Sequence, residues 1–246
     1  MNHRKIHRCT GMFAAAVILM AIMTDSPPSA GASDASQSSP MTSAEQKVVH
    51  GAQQSLARKD HAQAELMLQA FLDAHAGQPH HQVIFTLANT LALGGHHRAA
   101  LDQYLRITDR LPEEPALWQN MGRVHYELKQ YDQAGECLAK AHRLSSPPST
   151  SLAYQAGVAY ILGGRPAAAR PLLEALVVDG VESAEPEWIE ALLKVYIDLG
   201  QSGKGLALAR DLLRRQGDRP HLWQLLARLH IDRGEYREAA AALETW

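Results

Sequence analysis

Small residues recur along this 246-residue chain at a nearly constant interval. Ala64, Ala100, Ala134, Ala169, Gly205 and Ala239 are separated by 36, 34, 35, 36 and 34 residues. Twelve positions before each stand Ala52, Ala88, Gly122, Gly157, Leu193 and Ala227, small in five of six cases. Four positions after each come Leu68, Tyr104, Leu138, Leu173, Ala209 and Leu243; sixteen before come Val48, Ile84, Trp118, Ala153, Ile189 and Trp223. A ladder of this period excludes one ordinary globular core. Each unit must instead bury its apolar face against its neighbours.

Two helices per unit explain the ladder. Large residues such as Trp118, Tyr160 and Leu173 fall at helical spacing. Where two antiparallel helices cross closely only Ala or Gly fits, which accounts for the Gly122/Ala134 and Gly157/Ala169 pairs. Gly94-Gly95, Gly163-Gly164, Gly200 and Gly234 mark the turn inside a unit, permitting the positive φ that ends a helix. Pro79, Pro112 with Pro115, Pro147-Pro148, Pro186 and Pro220 mark the turn between units, stopping one helix and starting the next.

These residues resemble the tetratricopeptide repeat (TPR), whose pattern is W-x2-L-G-x2-Y, then A-x3-F, then P. The best copy is Trp118, Met121, Gly122, His125, Ala134, Leu138 and Ala141, closed by Pro147-Pro148. The last reads Trp223, Leu226, Ala227, His230, Gly234-Glu235-Tyr236, Ala239 and Leu243; the second reads Ile84, Leu87, Ala88, Leu91, Ala100, Tyr104 and Pro112. The resemblance implies an all-α, right-handed α-solenoid of antiparallel helix pairs. Six units are expected, at approximately 45–80, 81–114, 115–148, 150–184, 186–219 and 220–246, the last incomplete. The first and fifth are degenerate, with Gly51 at a bulky position and Leu193 at a small one. Because the sequence stops at Trp246 inside a second helix without a cap, either self-association or continuation of the array is expected there.

The N-terminus reads as an address. Arg4, Lys5 and Arg8 precede an apolar run from Met12 to Met23, and Ala30-Gly31-Ala32 supplies a small-residue cleavage site. Twelve helical residues rise about 18 Å, short of a hydrocarbon core of about 30 Å. A signal peptide over 1–32, cleaved after Ala32, is expected, with an uncleaved membrane anchor as the alternative. Residues 33–44, rich in Ser, Pro and Ala, read as a flexible linker. Cleavage removes three bases and one acid, leaving 21 Lys+Arg against 25 Asp+Glu and no membrane span.

Charge and chemistry narrow the function. A formal charge of −2 with 13 neutral histidines opposes nucleic-acid binding, which needs a basic stripe. Two cysteines build no disulfide framework. Cys9 leaves with the leader, and Cys137 reads as a small core residue, an intermolecular disulfide being the alternative. His80-His81 and His96-His97 fall in turns at opposite ends of one helix, some 20 Å apart, which opposes a shared metal site. His61 and Glu65 share a helix face without further ligands, while His125 and His230 occupy the family's Tyr position and read as packing residues. No nucleophile elbow, phosphate loop, His-Glu-x-x-His or Cys-x-x-Cys motif occurs. The chain reads as a non-enzyme needing neither cofactor nor metal.

The resemblance further implies that the first helices line a concave groove for a protein or peptide partner. The groove positions are Phe85 and Asn89, Gln119 and Arg123, Tyr154 and Val158, Glu190 and Lys194, Gln224 and Arg228, with Asn120 beside Asn89. Paired Asn side chains suit a peptide backbone, and Arg123, Lys194 and Arg228 suit carboxylates; the alternative is a merely solvated face. The family's carboxylate clamp does not carry over, because Phe85 replaces its first Lys, and Ser151 and Gln155 its later bases. The resulting expectation is an exported, periplasmic scaffold in a cell-envelope complex serving outer-membrane biogenesis, secretion or energy transduction. A client-binding subunit of an envelope enzyme system, such as polysaccharide export or cytochrome maturation, is the alternative.

Overall fold

The computed structural model of the chain describes residues 40–75, 77, 79–178, 180, 183–216 and 220–244. The expected leader, the linker up to Ser39 and the terminal Trp246 lie outside the described residues. Twelve helices and no strand occur among the described residues. They are α1 (Ser43–Ala57), α2 (His61–Ala74), α3 (His81–Leu93), α4 (His97–Leu105), α5 (Pro115–Glu127), α6 (Tyr131–Leu144), α7 (Thr150–Leu162), α8 (Pro166–Leu176), α9 (Pro186–Asp198), α10 (Ser202–Gln216), α11 (Pro220–Asp232) and α12 (Tyr236–Glu244). Consecutive helices pair antiparallel, and the pairs stack as a right-handed solenoid. No helix among the described residues is long and apolar enough to cross a membrane.

The turn inside every unit has one shape. Lys59, Gly95, Lys129, Gly164, Gly200 and Gly234 all have positive φ, between 59° and 81°. The glycines of four units fit that requirement, since glycine has no Cβ to clash there. In the first and third units a lysine adopts the same left-handed conformation, which no glycine in the sequence announces. Between units, Pro115 and Pro186 open α5 and α9 at their first turns. Side-chain caps hold other starts: Ser149 Oγ accepts from the Leu152 N–H at 3.3 Å, and Asp60 Oδ1 from that of Gln63 at 3.0 Å.

Packing within a unit is a large–small complement sixteen residues apart. A Cβ built on Gly122 stands 2.7 Å from Leu138 Cγ, and one on Gly157 stands 2.9 Å from Leu173 Cγ. The partner over each small residue is therefore the leucine four beyond the ladder alanine. The fifth unit inverts the arrangement: the large Leu193 is wholly buried where others are small, and Ala209 stands where others are large. In the first unit a Cβ on Gly51 stands 2.6 Å from Met67 Cε, so α2 fills the space that α1 leaves open. Neither degenerate unit lacks packing.

Stacking uses the same device across units. Tyr160 lies over Gly135, and Leu229 over Gly205, each closer than a Cβ allows. Trp118 packs against both the first and second core clusters, and Leu208 against the second and third, so the core runs on along the stack. Polar ties join successive units. Glu45 Oε1 accepts from the His80 N–H at 2.8 Å, Arg110 donates to the Pro79 carbonyl at 3.2 Å, and Arg215 donates to the Ala184 carbonyl at 2.6 Å.

Candidate functional site

First helices of successive units touch, in the pairs α1–α3, α3–α5, α7–α9 and α9–α11, whereas second helices do not pack on one another to that degree. The more closely spaced layer of a curved stack lies inside, so the first helices form the inner face. At its N-terminal end Asn89 of α3 receives two hydrogen bonds at Oδ1, from the Tyr104 hydroxyl at 2.6 Å and from Asn120 Nδ2 at 2.9 Å. Burial pushes the Tyr104 phenol up, against the nearby Arg123 charge and its Asn120 hydrogen bond. Phe85 meets Tyr104 edge to face, with ring centroids 6.0 Å apart. Gln119, Asn120 and Arg123 are half-buried beside them on α5.

Farther along, Tyr154 of α7 has its hydroxyl pushed up to about 12, first by burial and then by the charges of Glu187 and Glu190. His221 donates to Glu190 at 2.9 Å, joining α11 to α9. Lys194 pairs with Asp198 at 3.1 Å, and Arg228 with Asp232 at 3.1 Å, each one turn along its own helix. Arg123 takes part in none of the ion pairs found among the described residues.

Helix pairs of this length, turn and stacking direct the comparison with known proteins. Residues 115–146, the third unit, match the tetratricopeptide repeat family. A tetratricopeptide repeat protein from Parabacteroides merdae ATCC 43184 superposes with a TM-score of 0.58 at 15% identity, over 83% of this chain and 79% of that one. The third unit is a tetratricopeptide repeat, and the chain has the fold of tetratricopeptide-repeat structures. YrrB, described as a TPR protein with an unusual peptide-binding site, superposes with a TM-score of 0.56 at 15% identity, over 72% of this chain and 89% of its own. MamA from Desulfovibrio magneticus RS-1, from residue 41 to its end, gives 0.54 at 18% identity, over 67% and 92%. At these identities the structures share the fold. No curated protein matches the chain. The TPR fold is that of a protein–protein interaction scaffold, with proteins as its partners.

Within this TPR array the expected groove residues fall into distinct groups. Phe85, Asn89, Gln119, Asn120 and Arg123 come together on α3 and α5. Tyr154 and Val158 are half-buried on α7, and Lys194, Gln224 and Arg228 are exposed on α9 and α11. The Asn pair forms as the spacing suggests, but Asn89 Oδ1 is already occupied by two donors. The amide of Asn89 and the carbonyl of Asn120 are the groups left for a ligand. The charges of Lys194 and Arg228 are likewise met locally by aspartates.

Three further residues escape a count of groove positions on first helices. Tyr104, buried in the core, reaches Asn89 from a second helix and holds it from beneath the inner face. Glu187 shares a helix face with Glu190 three residues on, a spacing that was available in the sequence. Tyr126 lies close enough to Tyr154 to influence its hydroxyl. Elsewhere, Glu65 pairs with His96 of the next unit at 3.0 Å rather than with His61. His230 is buried and donates to Glu235 at 2.7 Å, while the half-buried His125 donates to Gln130 at 2.8 Å. Cys137 is buried, and burial pushes its thiol up to about 11.

Proposed function

We propose that this chain is an exported, non-catalytic scaffold that holds partner protein segments along its inner face, as an accessory part of a cell-envelope complex. One observation carries the binding half. Half-buried aromatic, amide and guanidinium groups (Phe85, Gln119, Asn120, Arg123 and Tyr154) line successive first helices, a mixture that combines apolar contact with oriented polar recognition. The peptide-binding site ascribed to YrrB supports the same use of the fold. The export half rests on sequence: the basic Arg4, Lys5 and Arg8, the apolar Met12–Met23 run and the Ala30-Gly31-Ala32 site. An exported TPR scaffold meets envelope proteins, and the reading needs no cofactor or metal.

The test is photocrosslinking in cells that produce the full chain. A photoreactive residue replaces Gln119, Tyr154 or Gln224 on the first helices, or Asp102 or Gln133 on second helices. The proposal expects one common adduct from the first-helix positions and a processed N-terminus at Ser33. Adducts from Asp102 and Gln133 alone would contradict the binding face. An N-terminus at Met1 in a cytosolic fraction would contradict export.

A further inference from the structure

The middle of the inner face differs from its flanks. Helix α7 carries no charged residue over Thr150–Leu162. A helix without charge is normally buried over most of its surface. Here Tyr154, Val158 and Ile161 are only half-buried, and Leu162 is exposed. The first helices on either side carry charges of opposite sign on the inner face, Arg123 on α5 and Glu187 on α9. Arg123 of α5 is half-buried, forms no ion pair among the described residues and lies near the Tyr104 phenol. Glu187, in the first turn of α9, is exposed, likewise forms no ion pair among the described residues, and lies near the Tyr154 phenol. The neighbouring groove charges are already matched: Glu190 by His221, Lys194 by Asp198 and Arg228 by Asp232.

We infer that the occupant of this face is an extended peptide segment carrying an acidic side chain, an apolar anchor and a basic side chain in that order along the face, seated on Arg123, on the Tyr154–Val158 surface of α7 and on Glu187. The inference rests on the inner face being the binding face, as proposed above. Charge complementarity sets the order: a lone base and a lone acid on opposite sides of an apolar strip reject a uniformly charged segment. Distance sets the spacing. Two interhelical steps of about 9 Å each, with an offset of about 10 Å along the helices, separate Arg123 from Glu187 by roughly 20 Å. An extended chain covers that in about six residues. The Asn89 amide and the Asn120 carbonyl favour an extended segment over a helix, whose backbone groups are used internally.

The test selects peptides from a random display library against the full chain, then measures Kd for the enriched sequences. The inference expects an acid and a base about six residues apart on either side of a large apolar residue. It expects Arg123→Glu and Glu187→Lys each to weaken binding by about tenfold or more, and reversal of the matching peptide charge to restore it. Circular dichroism and Tm confirm that each variant folds. Enriched peptides without this charge order, or affinities unmoved by both reversals, overturn the inference. If Val158→Asp alone abolishes binding, the face is correct and the charge order is wrong. If binding ignores all three substitutions, or no peptide is enriched above the Val158→Asp control, the inference and the inner-face reading fail together.

Discussion

Gly122 lies directly beneath Leu138, so close that a Cβ on Gly122 would stand 2.7 Å from Leu138 Cγ and 3.2 Å from the Leu138 backbone nitrogen. The backbone of α6 cannot retreat without disturbing α7, which packs on its other side. Gly122→Val is expected to destabilise the array by about 1–3 kcal/mol through overpacking. Chemical denaturation of the variant checks this, read as a fall in midpoint at unchanged slope.

Leu193 and Ala209 occupy the same two register positions with the sizes exchanged. Leu193→Ala is expected to cost about 2–5 kcal/mol as a cavity, and Ala209→Leu about 1–3 kcal/mol as overpacking. The double variant restores the arrangement of the other units and should lose much less than the sum of the two. A double-mutant cycle by denaturant titration measures that coupling.

Lys129 holds φ at 59° in a turn where four other units place glycine. A left-handed residue with a Cβ costs about 1–2 kcal/mol. Lys129→Gly recovers that strain and gives part of it back through the greater freedom of glycine in the unfolded chain. The expected net gain is about 0.5–1 kcal/mol, seen as a higher Tm, with Lys59→Gly behaving alike.

Glu45 serves two units at once. One carboxylate oxygen accepts from the Thr42 N–H at 2.8 Å in a capping box, and the other accepts from the His80 N–H at 2.8 Å. The His80 backbone bond holds its carboxyl below the ordinary 4.5, with Thr42 adding to it against the effect of burial. A lowered folded pKa stabilises the array above pH 4.5, and that contribution disappears as pH falls through the folded value. The Tm advantage of the native chain over Glu45→Gln should therefore hold at neutral pH and vanish on acidification. A difference that stays constant with pH would contradict this role.

The sequence displays the backbone spacing of the solenoid well, because Gly122, Gly157 and the ladder alanines mark crossings that every unit shares. It displays the exceptions poorly. Nothing local tells that Met67 fills the gap over Gly51, that Ala209 makes room for Leu193, or that Lys129 turns left-handed. Each depends on what faces the residue from another helix. The inner face is legible to the same extent. Asn89 and Asn120 meet as their positions suggest, but Tyr104, fifteen residues from Asn89, also claims Asn89 Oδ1. Lys194 and Arg228 look like ligand contacts until Asp198 and Asp232, one helical turn on, are seen to hold them. Periodicity locates the face; side-chain pairing decides which of its groups remain available.

The most direct test of the inner face as the binding surface is hydroxyl-radical footprinting of the full chain, alone and saturated with a peptide selected against it. The account predicts that Phe85 and Tyr154 lose oxidation on binding while Leu66 and Tyr236, exposed on second helices, keep theirs. Protection of Leu66 or Tyr236 with Tyr154 unchanged would contradict it.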